Sequence, residues 1–206
     1  MPQSMQTGFS MNQSGNAMER LMAALGETKG RGLPPVERWN PPFCGDLDMR
    51  IAADGTWFYL GTPIGRPKMV KLFSSVLRKD GDAYFLVTPV EKVGIKVEDA
   101  PFQAVEMAVD GQGDTRSLAF RTQVDDIVSA GSEHAIRFER APKDGLKPYV
   151  HVRAGLWARV TRAVTYDLLA LGEVREVDGV AMFGVAAGGV FHPAVPASEI
   201  GDGAAA

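Results

Sequence analysis

Two aspartates, Asp46 and Asp48, come closest in type and spacing to a catalytic arrangement. On a β-strand, residues two positions apart point to the same face and lie about 7 Å from each other. Paired carboxylates at such a separation suit the hydrolysis of a glycosidic bond. The competing interpretation is an exposed strand face whose acids pair with Arg50 or Arg66. Alternation of polar and apolar residues alone predicts such a face.

Two further charged residues, Glu91 and Lys92, follow the bend at Thr88-Pro89. As neighbours in sequence they would point to opposite faces of a strand, but a turn would direct one of them into a cleft. One hypothesis is therefore a hydrolase that uses Asp46 or Asp48 together with Glu91.

Two arginines, Arg66 and Arg159, stand at the start of predicted helices. The N-terminal end of a helix carries about half a positive charge, so a cation there needs a negative partner. The alternative to a structural partner is a bound phosphate or carboxylate, because helix N-termini bind anions and arginine offers two parallel donors. The carboxylates considered as structural partners are Asp46, Asp48, Glu91 and Glu106.

The leading hypothesis is a protein without catalytic residues that binds a small anionic molecule between two structural units, with a regulatory or signalling role. Pockets often form between such units. No cofactor is predicted. The residues expected at this site are Arg66, Arg159, Asp46, Asp48, Arg50, Trp57, Glu91, Lys92 and Tyr149.

The charges of the second half are separated along the chain. Residues 98–126 include seven acids and two arginines, whereas residues 137–162 include seven bases and two acids. The two segments either pair their charges as neighbouring strands, which is the usual arrangement, or the basic one forms an anion-binding face. A further hypothesis is nucleic-acid binding through the basic segment with Tyr149 and Trp157, which the net charge of −3 disfavours.

Other common active-site patterns are missing from the sequence. The three histidines, His134, His151 and His192, are scattered, and no His-x-x-x-His or Cys-x-x-Cys spacing occurs, so no metal site is predicted. There is neither a Gly-x-x-x-x-Gly-Lys loop for phosphates nor a Gly-x-Ser-x-Gly turn for a nucleophile. The single cysteine, Cys44, is expected to be a small, half-buried apolar residue.

The composition is that of a globular protein, since 45% of the 206 residues are apolar and 23% are charged. No apolar run approaches the roughly 20 residues of a membrane-spanning helix, so membrane insertion is not expected. Residues 1–15 are polar, lack the features of a secretory signal and are expected to be disordered. With only one cysteine, the chain is expected to be cytoplasmic.

Alternation predicts a hairpin early in the chain. Leu47, Met49 and Ile51 should face the core, and Asp54-Gly55 should turn the chain into an aromatic strand at Thr56–Tyr59. Apolar spacing predicts helices near residues 18–25, 66–79 and 156–171, with Phe73 and Trp157 on the inner faces of the last two. Further strands are expected near residues 83–88, 93–97, 103–109, 117–123, 134–139, 149–153, 173–176 and 180–185.

These elements predict an α+β fold of two tandem units, each an antiparallel sheet with a helix. The first unit is expected at residues 16–98 and the second, richer in strands, at residues 99–196, followed by a loose tail at residues 197–206. Both units show an Asp-Gly turn, an aromatic strand, an arginine before a helix and a second Asp-Gly turn. An internal duplication is therefore a hypothesis.

Several exact strings resemble an uncharacterised bacterial family, domain of unknown function 1285. The first block is carried by residues 44–51, by Asp-Gly-Thr-Trp-Phe-Tyr at residues 54–59 and by Thr-Pro-Val-Glu-Lys at residues 88–92. Residues 149–153 and Ala158-Arg159 are similar to its second block. The resemblance implies two tandem α+β units, the second superficially similar to a pleckstrin-homology sheet capped by a helix. It implies no established activity.

Overall fold

The computed structural model describes residues 18–24, 32–141 and 145–200. The chain divides into two compact units at the bond between Glu98 and Asp99, and they are called the N-terminal unit and the C-terminal unit below. The predicted disorder at residues 1–15 lies outside the described residues, as do the last six residues of the predicted tail. The last described turn, Ala197–Glu199, is a 3-10 helix.

The N-terminal unit is built on one six-stranded sheet with the order β3-β2-β1-β6-β5-β4. Its first and last strands meet in the middle and run parallel, whereas the other neighbours are antiparallel. The 3-10 helix Val36–Arg38 precedes β1. Residues 18–24 form helix α1, and helix α2 spans Pro67–Ser75. The strands are β1 Phe43–Ile51, β2 Trp57–Tyr59, β3 Thr62–Pro63, β4 Leu77–Asp80, β5 Ala83–Val87 and β6 Lys92–Val97.

The alternation in β1 determines which face of this sheet is buried. Leu47, Met49 and Ile51 lie in the core, and Asp46 and Asp48 are exposed. The predicted register is therefore confirmed. Because side chains alternate between faces, a shift by one residue would bury both carboxylates and expose the apolar side chains.

Helix α2 packs onto the sheet through Phe73, which is fully buried and stacks on the ring of Trp57 with 6.2 Å between the ring centroids. The predicted inward orientation of Phe73 is confirmed. The predicted length of the helix is wrong, because α2 ends at Ser75 and the chain continues as β4. The apolar residues after Ser75 fit a helical stripe as well as a strand, and pairing with β5 selects the strand.

The C-terminal unit contains a second six-stranded sheet, with the order β10-β11-β12-β7-β8-β9, and a three-stranded sheet, β13-β14-β15. Strands β7 and β12 are parallel at the centre of the larger sheet. Helix α3 spans Arg162–Ala170, and the 3-10 helix Gly113–Thr115 precedes β8. The strands are β7 Phe102–Asp110, β8 Ser117–Thr122, β9 Ile127–Ser129, β10 Ile136–Arg140, β11 Leu146–Arg153, β12 Leu156–Val160, β13 Glu173–Val177, β14 Val180–Ala187 and β15 Val190–Pro196.

The helix predicted at residues 156–171 is wrong in its first third, because this segment forms β12 and α3 begins only at Arg162. Trp157 and Val160 fit helical spacing, but the buried residues of β12 alternate with half-exposed ones, as in a strand. Pairing with β11 on one side and β7 on the other selects the strand. Trp157 is therefore half-exposed on a strand and does not lie on the inner face of a helix.

Strand β15 lies alongside β10, which is an edge of the six-stranded sheet. The backbone N–H of Ile136 in β10 donates a hydrogen bond of 3.2 Å to Nδ1 of His192 in β15. Burial lowers the pKa of His192 and favours the neutral imidazole, which can accept this bond. The side chain thus satisfies one N–H of an edge strand that would otherwise be open to pairing.

Candidate functional site

A pocket of about 520 Å³ opens in the C-terminal unit beside α3, a size that suits a small molecule. One wall is a single face of the helix, because its lining residues recur at spacings of three and four positions. The opposite wall consists of the first residues of β11 and the last residues of β12. The helical residues are Arg162, Thr165, Tyr166 and Leu169, and the principal strand residues are Leu146, Lys147, Arg159 and Val160.

The lining of this pocket that the structure describes combines basic and apolar residues. Three lining residues, Lys147, Arg159 and Arg162, are basic, and none of the lining residues that the structure describes is acidic. The apolar wall consists of aliphatic and proline side chains of the two strands and the helix. Such a pocket suits a molecule with a negatively charged group and an apolar body. The apolar lining residues are Leu146, Pro148, Val160 and Leu169, with Ala141 at the rim.

One carboxylate, Asp99, binds two of the three cations. Its Oδ2 lies 3.1 Å from Nη1 of Arg159 and 3.8 Å from Nζ of Lys147. Its Oδ1 accepts a hydrogen bond of 2.7 Å from the hydroxyl of Tyr149. Burial of the phenol, reinforced by the hydrogen bond to Asp99, raises the pKa of Tyr149 well above its ordinary value. Tyr149 therefore stays a hydrogen-bond donor across the physiological range and holds Asp99 in place.

The third cation, Arg162, has a different environment. Its Nε and Nη2 donate hydrogen bonds of 3.3 and 3.1 Å to the hydroxyl of Tyr166, one helical turn away. No carboxylate within the described part of the chain pairs with this guanidinium. Arg162 and Tyr166 are both exposed, so they are accessible to a molecule arriving from solvent.

A row of stacked side chains continues from Tyr149 across the sheet. The guanidinium of Arg137 lies 4.7 Å from the ring centroid of Tyr149 and 4.6 Å from that of Trp157. The ring of His151 meets Trp157 edge-on at 5.2 Å. Three successive contacts therefore connect Asp99 to the indole of Trp157: Asp99 to Tyr149, Tyr149 to Arg137, and Arg137 to Trp157.

The described residues of the pocket include binding groups but no activated nucleophile. The only hydroxyl on its helical wall besides the phenol belongs to Thr165, and this hydroxyl donates to the backbone carbonyl oxygens of Val160 and Thr161 at 3.4 and 3.0 Å. The lining residues that the structure describes include neither a histidine nor a carboxylate that could act as a base for it. The arrangement supports recognition of an anion more directly than a reaction.

The acidic and basic segments of the second half are partly paired with each other, as the first interpretation of the sequence expected. Asp99 contacts Arg159 and Lys147, and Nη1 of Arg153 lies 2.6 Å from Oδ2 of Asp126. Two other bases, Arg137 and Arg140, pair with Glu139 and Glu199. Among the bases of residues 137–162 that the structure describes, Arg162 alone has no carboxylate partner. The support for an open nucleic-acid-binding face is correspondingly reduced.

A second cavity, of about 510 Å³, lies in the N-terminal unit and is lined by Asp46, Asp48, Arg50 and Lys96, among others. Within the described residues, neither aspartate has a hydrogen-bond or ion-pair partner. The guanidinium of Arg50 is already bound to Glu98 and lies 4.2 Å from the ring centroid of Phe58. The carboxylate of Asp46 folds over Gly94 and occupies the space of a Cβ at that position.

The remaining predicted site residues of the N-terminal unit are dispersed. Trp57 is buried and belongs to the core. Glu91 is buried, and its Oε2 lies 3.6 Å from Nε of Arg20 in α1. It does not line the cavity that contains both aspartates. Lys92 lies over the ring of Phe85 and pairs with Asp80. The three acids of the proposed hydrolase are therefore not found together in one cavity.

The two arginines predicted to open helices have different positions. Arg66 is exposed and is the N-cap residue of α2, and no partner for its side chain is found among the described residues. Arg159 lies on β12, two residues before the N-cap Thr161 of α3, so its placement at a helix start is wrong. Its carboxylate partner, Asp99, is not among the four acids proposed from the sequence.

Among the described residues, no group of three or more His, Cys, Asp or Glu side chains is arranged to hold a metal ion. No helix in the same ranges is long and apolar enough to cross a membrane.

Sequence reasoning missed Asp99, Arg162 and Tyr166 as site residues. Arg162 was counted only as one of seven bases in its segment. A helical face could have been inferred from the spacing of Arg162, Thr165, Tyr166 and Leu169. That inference requires a helix that begins at Arg162. No local pattern relates Asp99 to Tyr149, fifty positions away.

Two family models match adjoining parts of the chain. The model described as "Domain of unknown function (DUF1285), N-terminal domain" matches residues 34–100, and "Protein of unknown function (DUF1285), C-terminal domain" matches residues 101–194. The comparison with curated proteins found no match.

Two similar crystal structures are both of proteins titled as DUF1285 family members. The one from Silicibacter pomeroyi DSS-3 is 50% identical, covers 87% of this chain and 96% of its own, and superposes with a TM-score of 0.80. The one from Shewanella baltica OS155 is 33% identical, covers 59% of this chain and 89% of its own, and has a TM-score of 0.47.

Proposed function

The chain belongs to the DUF1285 family, for which no function is known, and we propose from its own residues that it binds a small anionic molecule in the pocket beside α3. The observation that carries the proposal is the described lining: three basic residues and no acidic one around about 520 Å³. Guanidinium groups form short, charge-assisted hydrogen bonds to carboxylates and phosphates, often two at once. Arg162, which has no carboxylate partner among the described residues, is the natural first contact.

The proposed ligand carries an apolar part as well as its charge. Leu146, Val160 and Leu169 are aliphatic residues of the lining, and Tyr166 contributes an exposed aromatic residue. Burial of apolar surface stabilises a complex by about 25 cal/mol per Å². A phosphate or carboxylate attached to a small hydrocarbon or aromatic group therefore fits the pocket better than an inorganic ion.

The proposed role is binding rather than turnover, with a regulatory or signalling purpose. The described lining residues offer donors and apolar surface but no base beside the Thr165 hydroxyl. Binding of a small molecule without a reaction is the usual way in which a protein reports the concentration of that molecule.

Isothermal titration with phenyl phosphate, and in parallel with inorganic phosphate, tests the proposal. Phenyl phosphate should bind more tightly than inorganic phosphate because the ring reaches the apolar wall. Arg162→Ala should weaken phenyl phosphate binding about tenfold, since a charge-assisted hydrogen bond contributes roughly 1.5 kcal/mol or more. The matched control is Lys68→Ala, which removes an exposed cation from the first turn of α2.

The control should bind phenyl phosphate within about twofold of the parent protein. An equal loss in both variants would mean that general attraction, not the pocket, holds the anion. No binding of either anion at millimolar concentration would contradict the proposal. Tighter binding of a short single-stranded oligonucleotide, with strong salt dependence, would instead favour the nucleic-acid hypothesis.

We also infer the internal duplication that the sequence suggested. Two segments of the chain share one order of elements: three strands, a helix and three more strands. The first segment is β1 to β3, α2 and β4 to β6, and the second is β10 to β12, α3 and β13 to β15. In each copy the first strand lies beside the last one. The second and third strands of each copy are joined by two residues with positive φ, Leu60-Gly61 and Ala154-Gly155, and each helix has nine residues. In the C-terminal unit, β7 to β9 are additional to this plan.

A further inference from the structure

The charged ends of Lys147 and Arg159 lie on a different face of the sheet from the apolar strand residues of the pocket beside α3. Tyr149 on β11 and Arg159 on β12 are register partners, and side chains alternate between the two faces of a strand. Lys147 therefore shares a face with Tyr149 and Arg159. Pro148 and Val160, which also line the pocket, belong to the opposite face. A ligand that packs on Pro148 and Val160 is separated from these two charges by the strands themselves.

The same two cations already have an acidic partner outside the pocket. Oδ2 of Asp99 lies 3.1 Å from Nη1 of Arg159 and 3.8 Å from Nζ of Lys147, and Asp99 does not line the pocket. Arg162 is the remaining basic residue of the described lining, and no carboxylate pairs with it in the part of the chain that the structure describes. A ligand on the apolar face therefore meets one uncompensated positive charge, which suits a molecule with a single negative charge.

Arg162 and Tyr166 together offer two hydrogen-bond donors to such a ligand. Nε and Nη2 of Arg162 donate to the phenol oxygen, so Nη1 stays uncommitted among the described residues. The phenol oxygen is the acceptor in both bonds, and its own O–H has no acceptor in the described ranges. A carboxylate has two oxygens, and each can accept from one of these two donors. The Thr165 hydroxyl adds no third donor because it already donates to backbone carbonyl oxygens.

The apolar part of the lining extends away from Arg162 along α3. Leu169 follows Arg162 by two helical turns on the same face, a distance of about 10 Å along the helix axis. Leu146 and Leu169 are half-exposed, so both have apolar surface that a ligand can cover. With bonds of about 1.5 Å, an extended chain of about eight carbons has the same length.

We propose that the pocket beside α3 selects a linear aliphatic monocarboxylate, with its carboxylate on Arg162 and Tyr166 and its alkyl chain along Leu169. This inference rests on the proposed function and names the class of its ligand. Tyr166 determines the specificity because it supplies the second donor without a second charge. The additional negative charge of a phosphate monoester finds no further uncompensated cation among the described lining residues.

Titration of the protein with acetate, butyrate, hexanoate and octanoate tests the proposal. The affinity should rise about two- to fourfold with each added methylene, because a fully buried methylene contributes about 0.8 kcal/mol. Hexanoate should bind at least as tightly as hexyl phosphate at the same ionic strength. An affinity that is independent of chain length, or hexyl phosphate binding tenfold more tightly than hexanoate, would overturn the inference.

Two variants separate the contact of the carboxylate from that of the chain. Tyr166→Phe should weaken butyrate and octanoate equally, about tenfold, because both lose one hydrogen bond to a charged group. Leu169→Ala should weaken octanoate more than butyrate and so reduce the dependence on chain length. The control Lys68→Ala removes an exposed cation of α2 and should leave both affinities within about twofold. Equal losses of octanoate and butyrate in Leu169→Ala would contradict the placement of the chain.

The failure of this inference differs from the failure of the proposed function. If hexyl phosphate binds far more tightly than hexanoate and Arg162→Ala weakens that binding, the anion pocket survives and the assignment to monocarboxylates is wrong. If hexanoate, hexyl phosphate and phenyl phosphate all fail to bind at millimolar concentration, the proposed function fails together with the inference.

Discussion

The phenol of Tyr149 and the carboxylate of Asp99 are joined by a hydrogen bond of 2.7 Å, and the same carboxylate binds Arg159 at 3.1 Å. Tyr149 lies on β11 and Arg159 is its register partner on β12, so the pairing of two strands brings both donors to one acceptor. The sheet thus places a neutral donor and a cation on either side of a single acid. This contact joins two strands of the C-terminal unit through one buried acid.

Tyr149→Phe should lower the free energy of unfolding of the C-terminal unit by about 1.5 to 3 kcal/mol. The lost hydrogen bond reaches a charged, largely buried acceptor, and such bonds contribute in this range. Urea denaturation followed by circular dichroism measures the change. Tyr166→Phe is the control, because Tyr166 is 61% exposed and its loss should change stability by less than about 0.5 kcal/mol. Equal effects of the two substitutions would show that the Tyr149 bond does not stabilise the fold.

Phe73→Ala should destabilise the N-terminal unit by about 3 to 5 kcal/mol, because the side chain is fully buried and stacked on Trp57. Trp157→Ala should cost the C-terminal unit clearly less, since Trp157 is half-exposed on β12. Denaturant titration of each variant gives both values. A loss at Trp157 as large as that at Phe73 would mean that the indole is more deeply packed than its exposure indicates.

The stability of the C-terminal unit should fall as the pH is lowered below about 6.5, partly because of His192. Burial lowers the pKa of His192 from the ordinary 6.5, so the unfolded chain binds a proton at a pH where the folded protein does not. The stabilisation is present above pH 6.5 and is lost as the pH falls toward the folded-state pKa.

Unfolding free energies of the parent and of His192→Asn, measured from pH 8 to pH 5, isolate this contribution. Asparagine keeps an oxygen that can accept from the Ile136 N–H but does not titrate. The difference in stability between the two proteins should shrink as the pH falls. A difference that is independent of pH would show that His192 titrates normally in the folded protein.

The sequence predicted those parts of the fold that depend on local alternation. The aliphatic residues of β1 and the opposing Asp46 and Asp48 follow directly from a period of two, and so does the register. The predicted helix boundaries were wrong at Leu77 and at Trp157, where the apolar residues fit the helical period of about 3.6 as well as the strand period of two. Pairing with distant strands selected the strand in both cases, and no window of the sequence contains that information.

The candidate site was predicted only in part, for the same reason. Arg159 was identified, but as a residue at a helix start. Its pocket is formed by α3 and two strands, and its acidic partner Asp99 lies sixty positions earlier in the chain. Trp57 and Glu91 were expected at a ligand site, yet both are buried in the N-terminal unit. Residue type indicated chemistry, whereas the grouping of residues depends on the tertiary fold.

A crystal structure of the protein with tungstate, an anion shaped like phosphate whose metal gives a strong anomalous signal, locates a bound anion directly. We expect the strongest anomalous peak in the pocket beside α3, within hydrogen-bond distance of Arg162 and close to Arg159. A crystal of Arg162→Ala under the same conditions should lose the peak or show it much weaker. A principal peak at Arg66 or elsewhere outside the pocket, or no peak in the parent at millimolar tungstate, would contradict the proposed anion site.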